Sequence, residues 1–351
     1  MQDRQTRLSA YARIILSVAI CLVLLLGGFV LSVNLGAWQV GTLDIFKIIT
    51  GRIFSLDFNF SLSTENIIWF GRVPRALTGI LVGFSLGCAG TIMQGIFRNP
   101  LASPGIIGTS SGAALGAVIA IYLGLTSISI YITPAFSIFF AFLSLVLILT
   151  IASTGGITSR YTLLLAGIAF NALFNALTSF VIVLSTSQYE MARQVVGWLM
   201  GTLTNRTWNH VEIIFLVTVL GFLGAMIYAR DLNILMIDEE TAANLGVNVT
   251  RSRNALLILA AILTGGSIAV SGVIGFVGLI SPHIMRSFVG AENRFLIPAA
   301  GIFGGIMVTY ADCIVKIWEG AGMRIGVLTA ILGGPFFLFL VIRDKNKTTY
   351  F

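Results

Sequence analysis

The stretch ALTGILVGFSLGCAGTIMQGIF, residues 76–97, carries no charge, and after the single Arg98 the chain runs uncharged again from 99 to 159. A helix needs about 20 apolar residues to cross the hydrocarbon core, whereas a membrane β-barrel shows short alternating segments. Residues 76–97 therefore predict one span, and 99–159 predict two, with a break near 126–133. Working outward, further apolar runs lie at 14–33, 161–185, 213–229, 254–271, 275–287, 295–317 and 325–342. The expectation is an all-α polytopic membrane protein of about ten transmembrane helices, a single domain over 1–351. The pair meeting at 271–287 is the least regular, because Gly272, Gly275, Gly278 and Pro282 interrupt it.

Composition gives the same class. Hydrophobic residues make up 57% of the 351 and charged residues 10%, with a mean hydropathy of +0.97. Soluble domains carry roughly 25% charged residues, because their surfaces need polar cover. The first run follows Arg4, Arg7 and Arg13 as a signal peptide would, but it is span-length and lacks a small-residue cleavage site, so it reads as a retained first span. Basic residues favour cytoplasmic loops. With both termini inside, 13 of the 21 Lys and Arg fall on the inner side. Ordinary membrane topology thus accounts for the basic balance, and no nucleic-acid partner is implied.

Two segments align without a gap. LVGFSLGCAGTI at 81–92 and LTGGSIAVSGVI at 263–274 share Leu, Gly, Ser, Gly and Ile at matching places. Coincidence among common membrane residues is one account. The other is an inverted repeat, since the first copy runs inward and the second outward; its copies would cover about 72–190 and 251–343. Such repeats line the substrate route of many transporters. Gly108, Gly112 and Gly116 add small-residue steps that serve either close helix packing or the route itself.

Sites for chemistry are few. The sequence has no G-x-x-x-x-G-K-[ST] phosphate loop, no H-E-x-x-H and no G-x-S-x-G. Cys21, Cys88 and Cys313 form no CxxC pair, and His210 and His283 stand far apart. Neither catalysis nor a metal or cofactor bound by this chain is expected.

The longest inner loop, 230–253, contains DEETAANLGV. Asp238 suits an N-cap, Glu239 and Glu240 suit the positive end of a helix dipole, and Gly246 suits the position after the helix. A helix over 239–245 follows, with Ala242 and Leu245 on one small apolar face. So short a helix cannot persist alone in water; it either packs on its own membrane helices or docks into a soluble partner. Asp312 and Lys316, one helical turn apart, either pair with each other or mark a substrate or proton site. Arg72 and Arg75 bracket Pro74 on the outer side, as interfacial anchors or as receivers of a partner's carboxylates.

The stretch GRVPRALTGILVGFSLGCAGTIMQGIFRNPLASPGIIGTSSGA, together with DEETAANLGV, SGVIGFVGLISPHIMR and GVLTAILGGPFFLFL, resembles the FecCD-type permeases, the membrane subunits of type II ABC importers for ferric siderophores, haem and vitamin B12. The resemblance runs from about Arg72 to Arg343 in the family's order. It implies a multi-pass protein of a bacterial inner or plasma membrane that dimerises with a second permease copy around a central path. Two ATPase subunits, which would use the ATP, are implied inside, and a substrate-binding protein outside. By this likeness Asp238, Glu239, Glu240, Ala242, Ala243, Leu245 and Gly246 form the coupling element, while Arg72, Arg75 and Arg324 meet the binding protein. Gln94, Asn99, Pro100, Gly108, Ser110, Ser111, Pro282 and His283 shape the path or its gate. One departure is Gly322-Met323-Arg324, where the family often has Glu-x-Pro. The expected cargo is an iron(III)-siderophore-type chelate, with vitamin B12 or haem as alternatives. A proton-coupled secondary transporter using Asp312 is the rival from another class.

Overall fold

The computed structural model describes residues 2–56, 58–153, 160–186, 189–318 and 322–348. The described residues are helical, and the first half runs α1 (Gln2–Asn34), α2 (Thr42–Phe54) and α3 (Leu62–Asn66). A π-helical turn, Ile67–Arg72, leads from α3 into α4 (Val73–Phe97). A 3₁₀ turn at Pro104–Ile107 precedes α5 (Thr109–Tyr122), followed by α6 (Ile132–Ala152) and α7 (Arg160–Ser185). Next come α8 (Tyr189–Leu199), α9 (Trp208–Ile227), α10 (Ala229–Leu235) and α11 (Glu239–Asn244). The chain closes with α12 (Val249–Ser271), α13 (Val277–Val289), α14 (Asn293–Ile317) and α15 (Ile325–Thr348).

Among the described residues seven helices are long and apolar enough to cross a membrane, and α5 and Ile325–Leu340 of α15 are shorter apolar helices. Each of the ten predicted spans thus coincides with a helix, but they are not equivalent. At about 1.5 Å per residue, the 14 residues of α5 and the 13 of α13 reach only about 20 Å, short of a hydrocarbon core of about 30 Å. The break predicted near 126–133 falls between α5 and α6, and residues 154–159, the end of the uncharged stretch, lie outside the described residues.

Burial grades the helices by place. The apolar window of α4 is 78% buried inside the protein, against 11% for α1. α4 is therefore the bundle's axis, packed by α9, α12, α13 and α14. The packing is closest where α4 has no side chain. A Cβ placed on Gly83, Gly87 or Gly90 would meet the carbonyl oxygens of Gly304, Ala300 and Gly278 at 2.2, 2.2 and 1.7 Å. Gly112 and Gly116 do the same work between α5 and α6, against the Phe140 and Phe136 carbonyls.

Helix lengths after each glycine-rich span follow one pattern: 25, 14, 21 and 26 residues for α4 to α7, then 23, 13, 25 and 24 for α12 to α15. Both short helices are entered through a left-handed residue, Gly108 at φ 72° and Phe276 at φ 65°. A bulky side chain in that region is a genuine outlier. The Phe276 ring lies directly against Gly333 of α15, where a Cβ would stand 2.2 Å from its Cγ.

Candidate functional site

At the end of the bundle where α4 finishes, α10 and α11 form a short bent arm. The Asp238 side chain accepts from the backbone N–H groups of Glu240 at 3.0 Å and Thr241 at 3.2 Å, which satisfies donors that a helix start leaves open. The Thr241 N–H first, then those of Glu240 and Glu239 and the Arg98 charge, hold its carboxyl below the usual carboxylate range. The cap is therefore intact above that range and is lost as pH falls through the lowered value. Gly246, at φ 80°, ends the arm. The helix is Glu239–Asn244, with Leu245 as its C-cap rather than its last residue.

The two side chains of the apolar face predicted for α11 point different ways. Ala242 is fully buried in the bundle core, whereas Leu245 is 61% exposed. Packing on its own membrane helices and presenting an apolar tip outward are thus both true of α11. Arg253 Nη1 stands 3.6 Å from Glu239, and Ser252 donates to Asp231 at 2.6 Å. Asn293 donates to the side chain of Asn233 at 2.7 Å. The arm is tied to α12 and α14.

Gln94 is fully buried and bridges two elements. Its Nε2 donates to the Leu279 carbonyl at 3.1 Å, and its Oε1 accepts from Arg286 at 2.9 Å. Both partners belong to α13, as does buried Pro282, whose neighbour His283 sets its ring edge-on to Phe336 of α15. Asn99 Oδ1 accepts from the Leu101 N–H at 2.9 Å, and Asn99 and Pro100 are exposed. These residues build helix breaks and braces.

Ser110 and Ser111 stand at the start of α5 beside a cavity of about 470 Å³ whose wall also includes Asn171, Asn175, Thr178 and Ser179 of α7. The lining carries no charged side chain. Ser111 Oγ donates to Asn171 at 2.6 Å, and Asn171 donates to the Gly105 carbonyl at 2.9 Å, fastening α7 to the turn before α5. Gly108 supplies the carbonyl that accepts from Ser111 and Ser144. The α7 amides and hydroxyls were missed by sequence reasoning. Their signal was polar residues at 171, 175 and 178/179, one helix face of a span otherwise read only for its apolarity.

The opposite end of α4 corrects the outer-arginine reading. Arg72 is buried, and its guanidinium donates to the carbonyls of Val33 and Asn34, the last residues of α1, and of Trp38 just beyond it. Arg75 donates through Nε to both Asp312 oxygens at 3.1 Å and through Nη2 at 2.9 Å. Lys316 Nζ lies 3.3 Å from the same carboxylate and donates to the Ser32 carbonyl at 2.7 Å. The i,i+4 pair therefore exists, but as part of a buried knot that joins α1, α4 and α14. Both arginines are consumed by internal acceptors.

Arg324 differs. It stays half-buried, with a 3.3 Å bond to Thr202, on the rim of a cavity of about 540 Å³ that Glu190, Arg193 and Arg206 also line. Arg206 lies over the Trp198 ring at 5.2 Å, and burial pulls its guanidinium down to about 10, still cationic at neutral pH. Arg193 and Arg206 were counted by sequence reasoning only as topology charges.

The profile of the FecCD transport family matches residues 23–343. A cobalamin import system permease protein of Halobacterium salinarum is 40% identical over 83% of this chain and 77% of its own. A hemin transport system permease protein of Yersinia pestis is 39% identical over 80% and 84%, and an Fe(3+)-citrate import system permease protein of Bacillus subtilis is 33% identical over 93% and 94%. Among solved structures, an inward-facing conformation of a metal-chelate type ABC transporter superposes with a TM-score of 0.80 at 31% identity, covering 92% of this chain and 97% of that one.

Proposed function

The chain belongs to the FecCD transport family, and on that premise we propose that it carries an iron(III)-siderophore-type chelate across the cell membrane, driven by ATP that separate subunits hydrolyse. It is the membrane permease subunit of an ABC importer. Drive by separate ATPase subunits has one principal support, the arm at α11. Its N-cap is built, its Ala242 is anchored in the core of the helix bundle, and Leu245 is held out at 61% exposure. An apolar side chain kept exposed on a braced helix fits insertion into a groove of another protein.

In this reading the ATPase subunits close on ATP and push α11, and the helices around the α5–α7 cavity rock between outward and inward openings. The two sets of four helices with matching lengths are the halves that rock, copies 72–190 and 251–343. An uncharged lining of amides and hydroxyls interleaved with Ala114, Ile182, Leu199 and Val273 suits a large chelate, which must be passed on and not retained. The relatives' names cover cobalamin, hemin and Fe(3+)-citrate, so iron in a chelate is the cargo that the likenesses favour and cobalamin is the second choice. A second permease copy completes the path. A substrate-binding protein docks on the opposite face, at the rim where Arg193 is exposed and Arg324 half-buried, rather than on Arg72 and Arg75. The proton-coupled rival loses its support, because both oxygens of Asp312 are already bonded to cations.

Leu245→Asp tests the coupling. In the complete complex in proteoliposomes, stimulation of ATP hydrolysis by the loaded binding protein is expected to vanish, while the permease keeps its unfolding temperature. Normal stimulation would remove α11 from the mechanism. Uptake of ferric hydroxamate, haem and cyanocobalamin by the parent complex ranks the cargo. The docking rim is tested by Arg193→Glu at its exposed position, expected to weaken capture of the binding protein about tenfold or more, as reversing one charge of a complementary patch does. Unchanged capture would move docking elsewhere.

A further inference from the structure

We infer that Arg98 is the positioning residue that carries displacement of the α10–α11 arm into the entrance of the α5–α7 cavity, a role that rests on the coupling reading of α11. Arg98 is the C-cap of α4 and holds a left-handed backbone, φ 47° and ψ 37°. That conformation is one glycine adopts freely and an arginine does not. Its side chain shows what is gained. Nε donates to the Leu235 carbonyl at 2.9 Å, the last residue of α10. Nη1 lies 3.9 Å from Asp238 Oδ1, the N-cap of α11. One guanidinium thus grips both sides of the bend between α10 and α11.

The backbone beyond Arg98 leads straight to the cavity. The Asn99 N–H donates to the Gln94 carbonyl and the Ala102 N–H to the Asn99 carbonyl, so the loop is wound tightly onto the end of α4. It continues through the 3₁₀ turn and Gly108 into α5, whose first turn holds Ser110 and Ser111 at the cavity wall. The polar ties from Ser252, Arg253 and Asn293 hold the same arm to α12 and α14. Arg98 is the polar tie that continues into the loop leading to α5. The carboxylate contact is long and partly exposed, with Asp238 at 51%, so the shorter bond to the Leu235 carbonyl carries most of the grip. A strained residue held by its surroundings at the junction of two moving parts is a recognised mark of a switch region.

The test uses the complete complex with Ser110→Cys as reporter, labelled by fluorescein-5-maleimide with and without Mg-ATP. In the Arg98 parent the labelling rate is expected to change on ATP. Arg98→Gly relieves the backbone and removes the grip, so a merely structural Arg98 predicts unchanged or raised thermal stability and an unchanged response. The relay predicts the same stability and the same ATP hydrolysis, with the ATP-dependent labelling change reduced about tenfold, in the usual range of coupling between sites. Arg98→Lys, which keeps a cation on a long stem, should restore most of it. A full response in Arg98→Gly would overturn the relay while leaving the coupling reading standing. No response in the parent would overturn the coupling reading, and the relay with it.

Discussion

Asp312→Ala is expected to destabilise the protein by about 3–5 kcal/mol, the cost of breaking a buried ion cluster from one side. Asp312 is 1% exposed, and the side chains of its partners Arg75 and Lys316 are 11% and 4% exposed. Removing the carboxylate leaves two largely buried cations facing each other without their shared counter-charge. Lys316 keeps its bonds to Ser32, but these do not cancel charge. The unfolding temperature in detergent should fall by roughly 10 °C, taking the usual few degrees per kcal/mol for a chain of this size. The combination Asp312→Leu, Arg75→Met and Lys316→Met should recover most of that loss, because an apolar knot of similar volume avoids the desolvation penalty altogether. A proton-carrying Asp312 makes the opposite forecast, namely a stable Asp312→Ala protein without uptake and a triple variant that stays inactive. Unchanged stability in Asp312→Ala would show that the knot is not a brace.

The same knot shows where reading a sequence stops. Lys316 was visible as a partner because it lies one helical turn away. Arg75 was not, because it is 237 positions distant in the chain and only the packing of α4 on α14 brings it there. Arg72 and Arg75 flank Pro74 in a polar-looking segment, and that composition suits a membrane surface. The π-helical turn before α4 instead sends Arg72 onto the carbonyls at the end of α1. Long charge-free runs were legible as spans because the bilayer imposes a length on them, and the 13-residue run 275–287 already carried the length of α13, yet the shortness of α5 was not legible, since Gly108 starts that helix late by backbone conformation rather than by polarity. α11 was legible to within one residue because caps act locally: Asp238 and Gly246 need no distant partner. α2 and α8 are shorter than a span, and a search for bilayer-length runs passed over them.

Gly90→Leu should abolish the folded permease. A Cβ at residue 90 would stand 1.7 Å from the Gly278 carbonyl oxygen, 2.5 Å from its carbon and 2.7 Å from its Cα. All three are backbone atoms, so no rotamer change clears them; α13 must move bodily away from α4. That seam also carries Gln94, one turn further on, whose bonds to the Leu279 carbonyl and Arg286 would part with it. Helices in a bilayer gain little from burying apolar surface, because lipid is equally apolar, and they depend on close backbone approach instead. Overpacking ordinarily costs about 1–3 kcal/mol when neighbours can yield, and here the neighbour is a main chain held also by Leu86, whose carbonyl would lie 2.7 Å from a Cβ on Gly278. The monodisperse yield from detergent extraction should therefore fall about tenfold or more, the factor that corresponds to about 1.4 kcal/mol or more. Gly90→Ala should show the same defect in milder form. Gly334→Ala is the control: no atom lies within 4 Å of its would-be Cβ and its φ is not in the left-handed region, so replacing glycine inside α15 should leave yield unchanged or raise stability by up to about 1 kcal/mol. Parent-like yield and unfolding temperature in Gly90→Ala would mean that α4 and α13 do not meet backbone to backbone, and the seam on which Gln94 and Pro282 sit would have to be redrawn.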